Sequence, residues 1–349
     1  MINWLPSNAP SIQQKIQKEI PFTVVICLLF LACYLFFPNP EVAMWLGFGI
    51  AGYSAIANDS IQTLGTFLSS NKKIPWWLLW IFIGGIFAVT YAYGWAQNGG
   101  DISFGRLAKI PQPTEFQFIT LAGPVILLIL TRLRMPVSTT FLLLSTFSST
   151  VVIRSMLTKT FIGYMVAFIV AVLVWSVIAY IYHRKEFASK HYNKRNWRML
   201  QACSTAFLWS TWIMHDTANV SVFLPRTLSF EHMLISLLYL FFVIGLLMYI
   251  KGGGIQVVVT EKTDITDIRA ATIIDFVYAL VLLVFKNMNN IPMSTTWVFL
   301  GLLAGREIAL TLMTKKPEVY VKTAKLVFKD IGRAGMGLLI SLLIVLFIS

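Results

Sequence analysis

Residues 135–140 read Met-Pro-Val-Ser-Thr-Thr, and residues 291–296 read Ile-Pro-Met-Ser-Thr-Thr. A second pair of phrases precedes them, Ala-Asn-Asp-Ser at 57–60 and Met-His-Asp-Thr at 214–217. The aspartate of the earlier phrase lies 79 residues before the first serine in one copy and 78 residues before it in the other. Two phrases in the same order at nearly the same spacing indicate a duplicated chain with a period of about 157 residues.

The composition places both copies in a membrane. Of 349 residues, 57% are apolar and 12% are charged, whereas a soluble domain carries roughly 25% charged residues. Apolar runs such as 22–37, 76–92, 161–182 and 234–250 approach the roughly 20 residues that cross a bilayer core. This pattern predicts an all-α integral membrane protein with about 11 transmembrane helices. Re-entrant hairpins remain open for some of these segments.

The apolar runs divide the chain into four parts. These are an N-terminal segment with an extra transmembrane helix (1–41), a first repeat (42–182), a basic linker (183–199) and a second repeat (200–349). The first repeat is predicted to cross at 42–57, 75–96, 116–131, 136–153 and 161–182. The second is predicted to cross at 200–215, 232–250, 271–288, 292–313 and 333–348. Five crossings are an odd number, so the two repeats are expected to insert with opposite orientations.

The net charge of +13 fits this topology better than it fits nucleic-acid binding. With the N-terminus in the cytoplasm, 21 of the 28 Lys and Arg residues lie on the cytoplasmic side and six on the other side. Basic residues accumulate in cytoplasmic loops of membrane proteins. We therefore expect a multi-pass protein of the plasma membrane (a cytoplasmic or inner membrane), with a cytoplasmic N-terminus and no nucleic-acid partner.

Asp59 and Asp216 are the strongest candidates for function. A charge near the centre of a membrane helix costs roughly 2.5–3.5 kcal/mol on insertion scales, so such residues persist mainly where they act. Amides and hydroxyls surround both positions, among them Asn58, Gln62 and Asn219. Carboxylate and amide oxygens suit a hard monovalent cation. The structural alternative is that each aspartate caps a broken helix.

The Pro-x-Ser-Thr-Thr phrases supply the complementary half of a site. Proline favours the first turn of a helix, so the residues after it are expected at a helix N-terminus, where free N–H groups and hydroxyls can bind an anion. Inverted repeats bring such ends to the membrane midplane from opposite sides. The structural alternative is a Ser/Thr-rich packing face between membrane helices.

Other polar residues leave alternatives open. Asp275 is either a buried polar contact or a third cation ligand, and His215 is either a polar neighbour of Asp216 or a protonatable group. The sequence has no nucleophile triad, metal-ligand cluster or nucleotide fingerprint. We therefore expect no enzymatic activity and no cofactor other than a coupling ion.

These phrases resemble those of the inorganic phosphate transporter (Pit) family of sodium- or proton-coupled phosphate symporters, over roughly residues 42–310. The matching stretches are 57–59, 216–219, 136–140 and 292–296, and the loop 260–267 is also similar. The resemblance implies sodium ligands at Asp59, Asn58 and Asp216, and it implies a homodimer. It also implies a set of phosphate ligands, which comprises Ser138, Thr139, Thr140, Ser294, Thr295, Thr296 and Asn219.

The chain departs from the family pattern at four positions. Gln62 stands where the first motif usually has its second Asn, and His215 stands where the second has its first. Phe141 and Trp297 replace the histidine that follows Ser-Thr-Thr. The expected function is sodium-coupled symport of phosphate around a midplane site, with His215, Gln62 and Asp275 as possible coupling residues. The alternatives are a proton-coupled phosphate or sulfate transporter and, from another class, a membrane-embedded enzyme or assembly subunit.

Overall fold

The computed structural model describes residues 12–71, 73–133, 135, 137–183, 193–250, 268–314 and 317–346. Within these ranges the chain forms ten α-helices and no strand, so the all-α prediction is confirmed. Six of the described helices have a stretch long and apolar enough to cross a membrane. The helices are α1 Ile12–Phe36, α2 Pro40–Ser70, α3 Trp76–Gln97, α4 Phe118–Arg132, α5 Thr150–His183, α6 Lys194–Ser221, α7 Phe230–Tyr249, α8 Ile268–Met288, α9 Thr295–Thr314 and α10 Pro317–Leu346.

Two of the predicted crossings end too early. The crossings predicted at 42–57 and 200–215 belong to α2 and α6, which continue to Ser70 and Ser221. Hydropathy falls after residue 57 and after residue 213 because polar residues begin there. These polar residues are buried against other helices, including Asn58 and Asn219 at 1% and 0% exposure. The helix therefore continues where the apolar run stops.

The predicted crossing at 136–153 is not a separate α-helix. Residues Thr140–Leu144 form a π-helical turn and Ser145–Phe147 a 3-10 turn, and α5 then runs from Thr150 to His183. Hydroxyls in this stretch bond to the local backbone, from Thr146 to the carbonyl of Leu143 at 2.9 Å and from Ser148 to that of Leu144 at 2.7 Å. Such bonds compete with regular helix formation.

The closest helix packing joins the two repeats. Helix α9 packs along α5, and Gly301 and Gly305 lie at the contact. A Cβ atom at Gly301 would lie 2.4 Å from the carbonyl oxygen of Tyr164, and one at Gly305 would lie 2.3 Å from that of Phe168. Only glycine fits there. Small residues four apart are the usual means of bringing membrane helices into close contact.

The remaining helices surround a polar centre. Helix α2 crosses α6, α3 packs against α7, α4 against α2, and α8 against α6. Large apolar side chains face outward, including Val89, Leu173 and Phe242 at 71%, 61% and 66% exposure. An apolar outside around a polar inside is the arrangement that a lipid environment favours. The predicted repeat boundaries remain predictions, and 184–192 and 260–267 lie outside the described residues.

Candidate ion and anion site

Two buried carboxylates mark the polar centre. Asp59 on α2 is 1% exposed, and Asp216 on α6 is 2% exposed. A chain of hydrogen bonds through Thr139 and Asn219 connects them. Each lies inside a continuous helix, so the alternative in which they cap broken helices is wrong. Buried charges require compensation by hydrogen bonds or by an opposite charge.

Asp59 is held by two neighbours from the first repeat. The Asn58 amide donates to Asp59 Oδ1 at 2.8 Å, and the Thr139 hydroxyl donates to Asp59 Oδ2. The same amide donates to the backbone carbonyl of Val137 at 2.9 Å. Asn58 therefore ties α2 to the residue that precedes the first Ser-Thr-Thr phrase.

Asp216 is held by a neighbour that also reaches the first repeat. The Asn219 amide donates to Asp216 Oδ1 at 2.6 Å and to the Thr139 hydroxyl at 3.2 Å. Thr295 lies close to Asp216, the counterpart of the contact between Thr139 and Asp59. Asp216 Oδ2 and Asn219 Oδ1 are buried and have no hydrogen-bond partner. Two buried acceptors without donors therefore lie on α6, three residues apart.

The two Ser-Thr-Thr phrases meet through reciprocal hydrogen bonds. Thr140 donates to the carbonyl of Met293 at 3.3 Å, and Thr296 donates to the carbonyl of Val137, also at 3.3 Å. Each bond is the repeat-related copy of the other, because 137 corresponds to 293 and 140 to 296. The expectation that inversion brings the two phrases together agrees with these contacts.

The serines of both phrases cap the following turn. Ser138 Oγ accepts from the backbone N–H of Phe141 at 3.3 Å, and Ser294 Oγ accepts from that of Trp297 at 3.4 Å. The helix-start prediction is confirmed for α9, which begins at Thr295. In the first repeat, the corresponding residues begin the short π-helical turn Thr140–Leu144 and not an α-helix. Both serines and all four threonines are at most 3% exposed.

The two aromatic residues that follow Ser-Thr-Thr pack tightly. Phe141 is fully buried, and Trp297 is 5% exposed. Trp297 makes edge-on ring contacts with Phe161 at 5.5 Å and Tyr164 at 5.9 Å between centroids. Aromatic packing against α5 therefore occupies the place where the family pattern has a histidine.

Tyr278 is a site residue that sequence reasoning missed. It lies on α8, is 1% exposed, and donates from its hydroxyl to the backbone carbonyl of Thr295 at 2.9 Å. This bond ties α8 to the second Ser-Thr-Thr phrase. Because it is one aromatic residue in an apolar helix, nothing in the sequence marked it as a candidate for the site.

Asp275 lies apart from the carboxylate pair. It accepts from the hydroxyls of Thr66 on α2 and Thr205 on α6, both at 2.6 Å, so it links these helices. This supports the polar-contact interpretation of Asp275. The side chain of Gln62 lies outside the described part. In that part, no group of three or more His, Cys, Asp or Glu side chains could hold a metal ion.

His215 faces a basic group rather than the carboxylates. Its Nε2 lies 2.8 Å from the carbonyl oxygen of Leu282 and 3.2 Å from Arg106 Nη2. Arg106 and Lys159 were counted among the loop charges, yet they are 2% and 6% exposed. Lys159 donates to the backbone carbonyls of Asn289 and Ile291 at 3.0 and 2.9 Å. Arg106 therefore lies in a loop that folds back into the protein, whereas Lys159 belongs to α5 and not to a loop.

The apolar helices and the buried polar centre define an all-α integral membrane protein. Among solved structures, the chain is similar to "The sodium-dependent phosphate transporter", with a TM-score of 0.53. The comparison covers 87% of this chain and 99% of that chain, at 16% sequence identity. At this identity the likeness concerns the fold. No family profile matches the sequence, and no curated protein matches it.

Proposed function

We propose that the chain is a secondary transporter that takes up inorganic phosphate together with sodium ions. The observation that carries the proposal is the meeting of the two Ser-Thr-Thr phrases beside two buried carboxylates, joined across the repeats by the hydrogen bond between Thr139 and Asn219. The similar fold of a sodium-dependent phosphate transporter supports the same assignment.

The anion would bind between the two phrases. The hydroxyls of Thr139, Thr140 and Thr296 donate to protein oxygens, and those of Thr140 and Thr296 hold the two phrases together. Ser138 and Ser294 accept from the backbone and keep their own hydroxyl hydrogens for a ligand. The N-terminus of α9 adds backbone N–H groups and the positive end of a helix dipole. Hydrogen bonds to a charged ligand are roughly twice as strong as neutral ones. The ligand set is that of a small tetrahedral oxyanion.

The cation would bind at the carboxylate pair. Asp216 Oδ2 is a buried acceptor without a hydrogen-bond partner, and sodium is bound by such oxygens. Asp59 and Asn58 complete the proposed shell from the other repeat. Two mutually repelling carboxylates and an anion cannot share a buried centre without positive charge between them. Cation and anion binding are therefore linked, and each strengthens the other.

The unpaired acceptors favour phosphate over sulfate. Phosphate carries a proton at neutral pH and can donate a hydrogen bond, whereas sulfate only accepts. When a ligand lacks the donor, the buried acceptors of the site stay unpaired, which costs free energy. Such a site therefore strongly favours the ligand that has the donor over the one that lacks it. Asn219 Oδ1 is the buried acceptor available for this donor while sodium lies at the carboxylates.

Different contacts close the two ends of the α2–α6 crossing. Towards the end of α2, Asn71 donates to Gln201 at 2.9 Å. At the opposite end, Phe223 packs edge-on against Phe147, 5.1 Å between centroids, and covers Gly47. Opening one end at a time would expose the site to each side of the membrane in turn. We expect the transporter to act as a homodimer in the plasma membrane.

Proton coupling through His215 has less support. The imidazole lies beside the Arg106 guanidinium, and a protonated ring would place two cations in contact. It also points to the Leu282 carbonyl rather than to Asp216. Sodium at the carboxylates therefore remains the favoured coupling ion.

Counterflow in proteoliposomes tests the substrate and the transport class together. Vesicles loaded with unlabelled phosphate should accumulate labelled phosphate in sodium medium and not in choline medium. Labelled sulfate should enter on the order of 10²-fold more slowly, because it lacks the donor for the unpaired oxygens. Vesicles without protein are the control. Equal counterflow of sulfate would refute the phosphate assignment, and no counterflow of either anion would refute transport.

A further inference from the structure

The guanidinium of Arg106 is buried next to the second carboxylate. Its Nε donates to the carbonyl of Met214 at 3.0 Å, and its Nη1 donates to the carbonyl of Ile291 at 3.2 Å. These carbonyls lie two residues before Asp216 and three residues before Ser294. Arg106 therefore joins the aspartate phrase of the second repeat to its Ser-Thr-Thr phrase.

The loop between α3 and α4 is built to place this residue. Asp101 accepts from the backbone N–H groups of Ser103 at 2.6 Å and Gly105 at 2.8 Å. Gly105 has a φ of +76°, and a Cβ atom there would lie 3.0 Å from Asn290 Nδ2. Glycine is thus required immediately before Arg106 by both conformation and space.

The charges around the two aspartates differ although the repeats match. The buried Arg106 guanidinium is bonded to Met214 and lies 3.2 Å from His215 Nε2, and these are the two residues before Asp216. Asp59 has hydrogen bonds from the neutral side chains of Asn58 and Thr139. Among the described contacts, a fixed cation is therefore held beside the aspartate phrase of the second repeat and not beside that of the first.

We propose that Arg106 is a fixed cation that balances Asp216, so that one sodium ion at the carboxylate pair neutralises both aspartates. This inference rests on the proposed function. Symmetric repeats with two unbalanced carboxylates would require two mobile cations. Arg106 replaces one of them and sets the number of sodium ions that the pair needs. It acts through Asp216 and is a positioning residue rather than a ligand of the anion, because Met214 and Ile291 already hold its guanidinium.

Thermal unfolding of the purified full-length protein tests the charge balance without requiring transport. Arg106→Gln should lower the unfolding temperature in choline chloride and recover much of the loss in sodium chloride at equal ionic strength. A ligand that binds the folded state stabilises it. Adding Asp216→Asn to Arg106→Gln should return the sodium dependence to that of wild type, because Asp59 is then again the one aspartate of the pair without a fixed cation. Arg106→Lys should lose less stability in choline chloride than Arg106→Gln, because it keeps the charge although not the planar set of donors.

Arg226→Gln is the matched control. Arg226 is another loop arginine that donates to backbone carbonyls, including those of Val222 and Pro111, but its charged neighbour is Asp101. Its replacement should leave the sodium dependence of the unfolding temperature as it is in wild type. If Arg106→Gln is as unstable in sodium as in choline, the proposal is wrong. If Arg106→Gln cannot be purified, recovery by Asp216→Asn supports the charge pairing and failure to recover contradicts it.

Uptake kinetics test how many sodium ions the carboxylate pair binds. At low sodium, the slope of log uptake against log sodium concentration should be about one in wild type and about two in Arg106→Gln. A slope of two in both proteins overturns the proposal. A raised phosphate KM with an unchanged sodium slope also overturns it, because Arg106 would then be a ligand of the anion. Absence of phosphate uptake in wild type refutes the proposed function, and the unfolding experiment then decides the charge pairing by itself.

Discussion

Thr139→Val is expected to abolish most phosphate uptake while the protein still folds. The Thr139 hydroxyl donates to Asp59 and accepts from Asn219, so it is where the carboxylate, the amide and the anion site meet. Valine keeps the shape but removes a donor to charged groups, a loss of about 1.5–3 kcal/mol per hydrogen bond. Each 1.4 kcal/mol corresponds to about tenfold in binding. Thr295→Val removes the repeat-related hydroxyl and is expected to have the same effect.

Thr146→Val provides the matched control for this experiment. Thr146 lies in the same irregular segment as Thr139, but its hydroxyl bonds only to the backbone carbonyl of Leu143. Uptake by the three variants should be compared at equal amounts of folded protein in the membrane. Normal uptake by both site variants would rule out a role for these hydroxyls in anion binding.

Asp59→Asn is expected to reduce phosphate uptake and sodium dependence together. An amide keeps the shape of the side chain but removes the negative charge that attracts the cation. Because cation and anion binding are linked, weakening one weakens the other. The measurement is the initial rate of phosphate uptake as a function of sodium concentration, with Glu41→Gln as the control.

Glu41 lies on the same helix as Asp59 but is exposed near its start. Its replacement should leave the sodium curve unchanged. An Asp59→Asn protein that keeps the wild-type curve would show that Asp59 is not a sodium ligand. A loss of uptake with an unaltered sodium requirement would assign Asp59 to the anion alone.

The duplicated phrases predicted which residues meet at the buried polar centre. Their equal spacing related Asp59 to Asp216 and Ser138 to Ser294, and inversion implied that the halves meet. The reciprocal bonds of Thr140 and Thr296 agree with that expectation. Such a prediction is possible because repeated polar residues are unusual in membrane helices and are costly unless they act together.

Helix boundaries were harder to predict for a physical reason. Hydropathy reports contact with lipid, whereas α2 and α6 continue through polar residues that contact only other helices. For the same reason, the sequence predicted a regular crossing at 136–153. In the structure, the hydroxyls of Thr146 and Ser148 in this stretch bond to the local backbone. Apolar content alone does not distinguish a helix from such a turn.

Sequence analysis did not place Arg106 or Tyr278 at the polar centre. Arg106 was counted as a loop charge outside the membrane, and its burial depends on a turn closed by Asp101 and Gly105. Tyr278 is one aromatic residue among many in an apolar helix. Neither has a repeat-related partner in the motifs, so the duplication that revealed the aspartates could not reveal them.

Accumulation of labelled phosphate against its gradient, driven by sodium at equal pH on both sides, tests the central claim most directly. Proteoliposomes with wild-type protein and with His215→Asn should both concentrate phosphate when sodium is high outside, and collapse of the sodium gradient should release it. The substitution restores an amide beside Asp216 and leaves the carboxylates in place. Uptake that ignores sodium, follows an imposed pH gradient and disappears in His215→Asn would contradict the account.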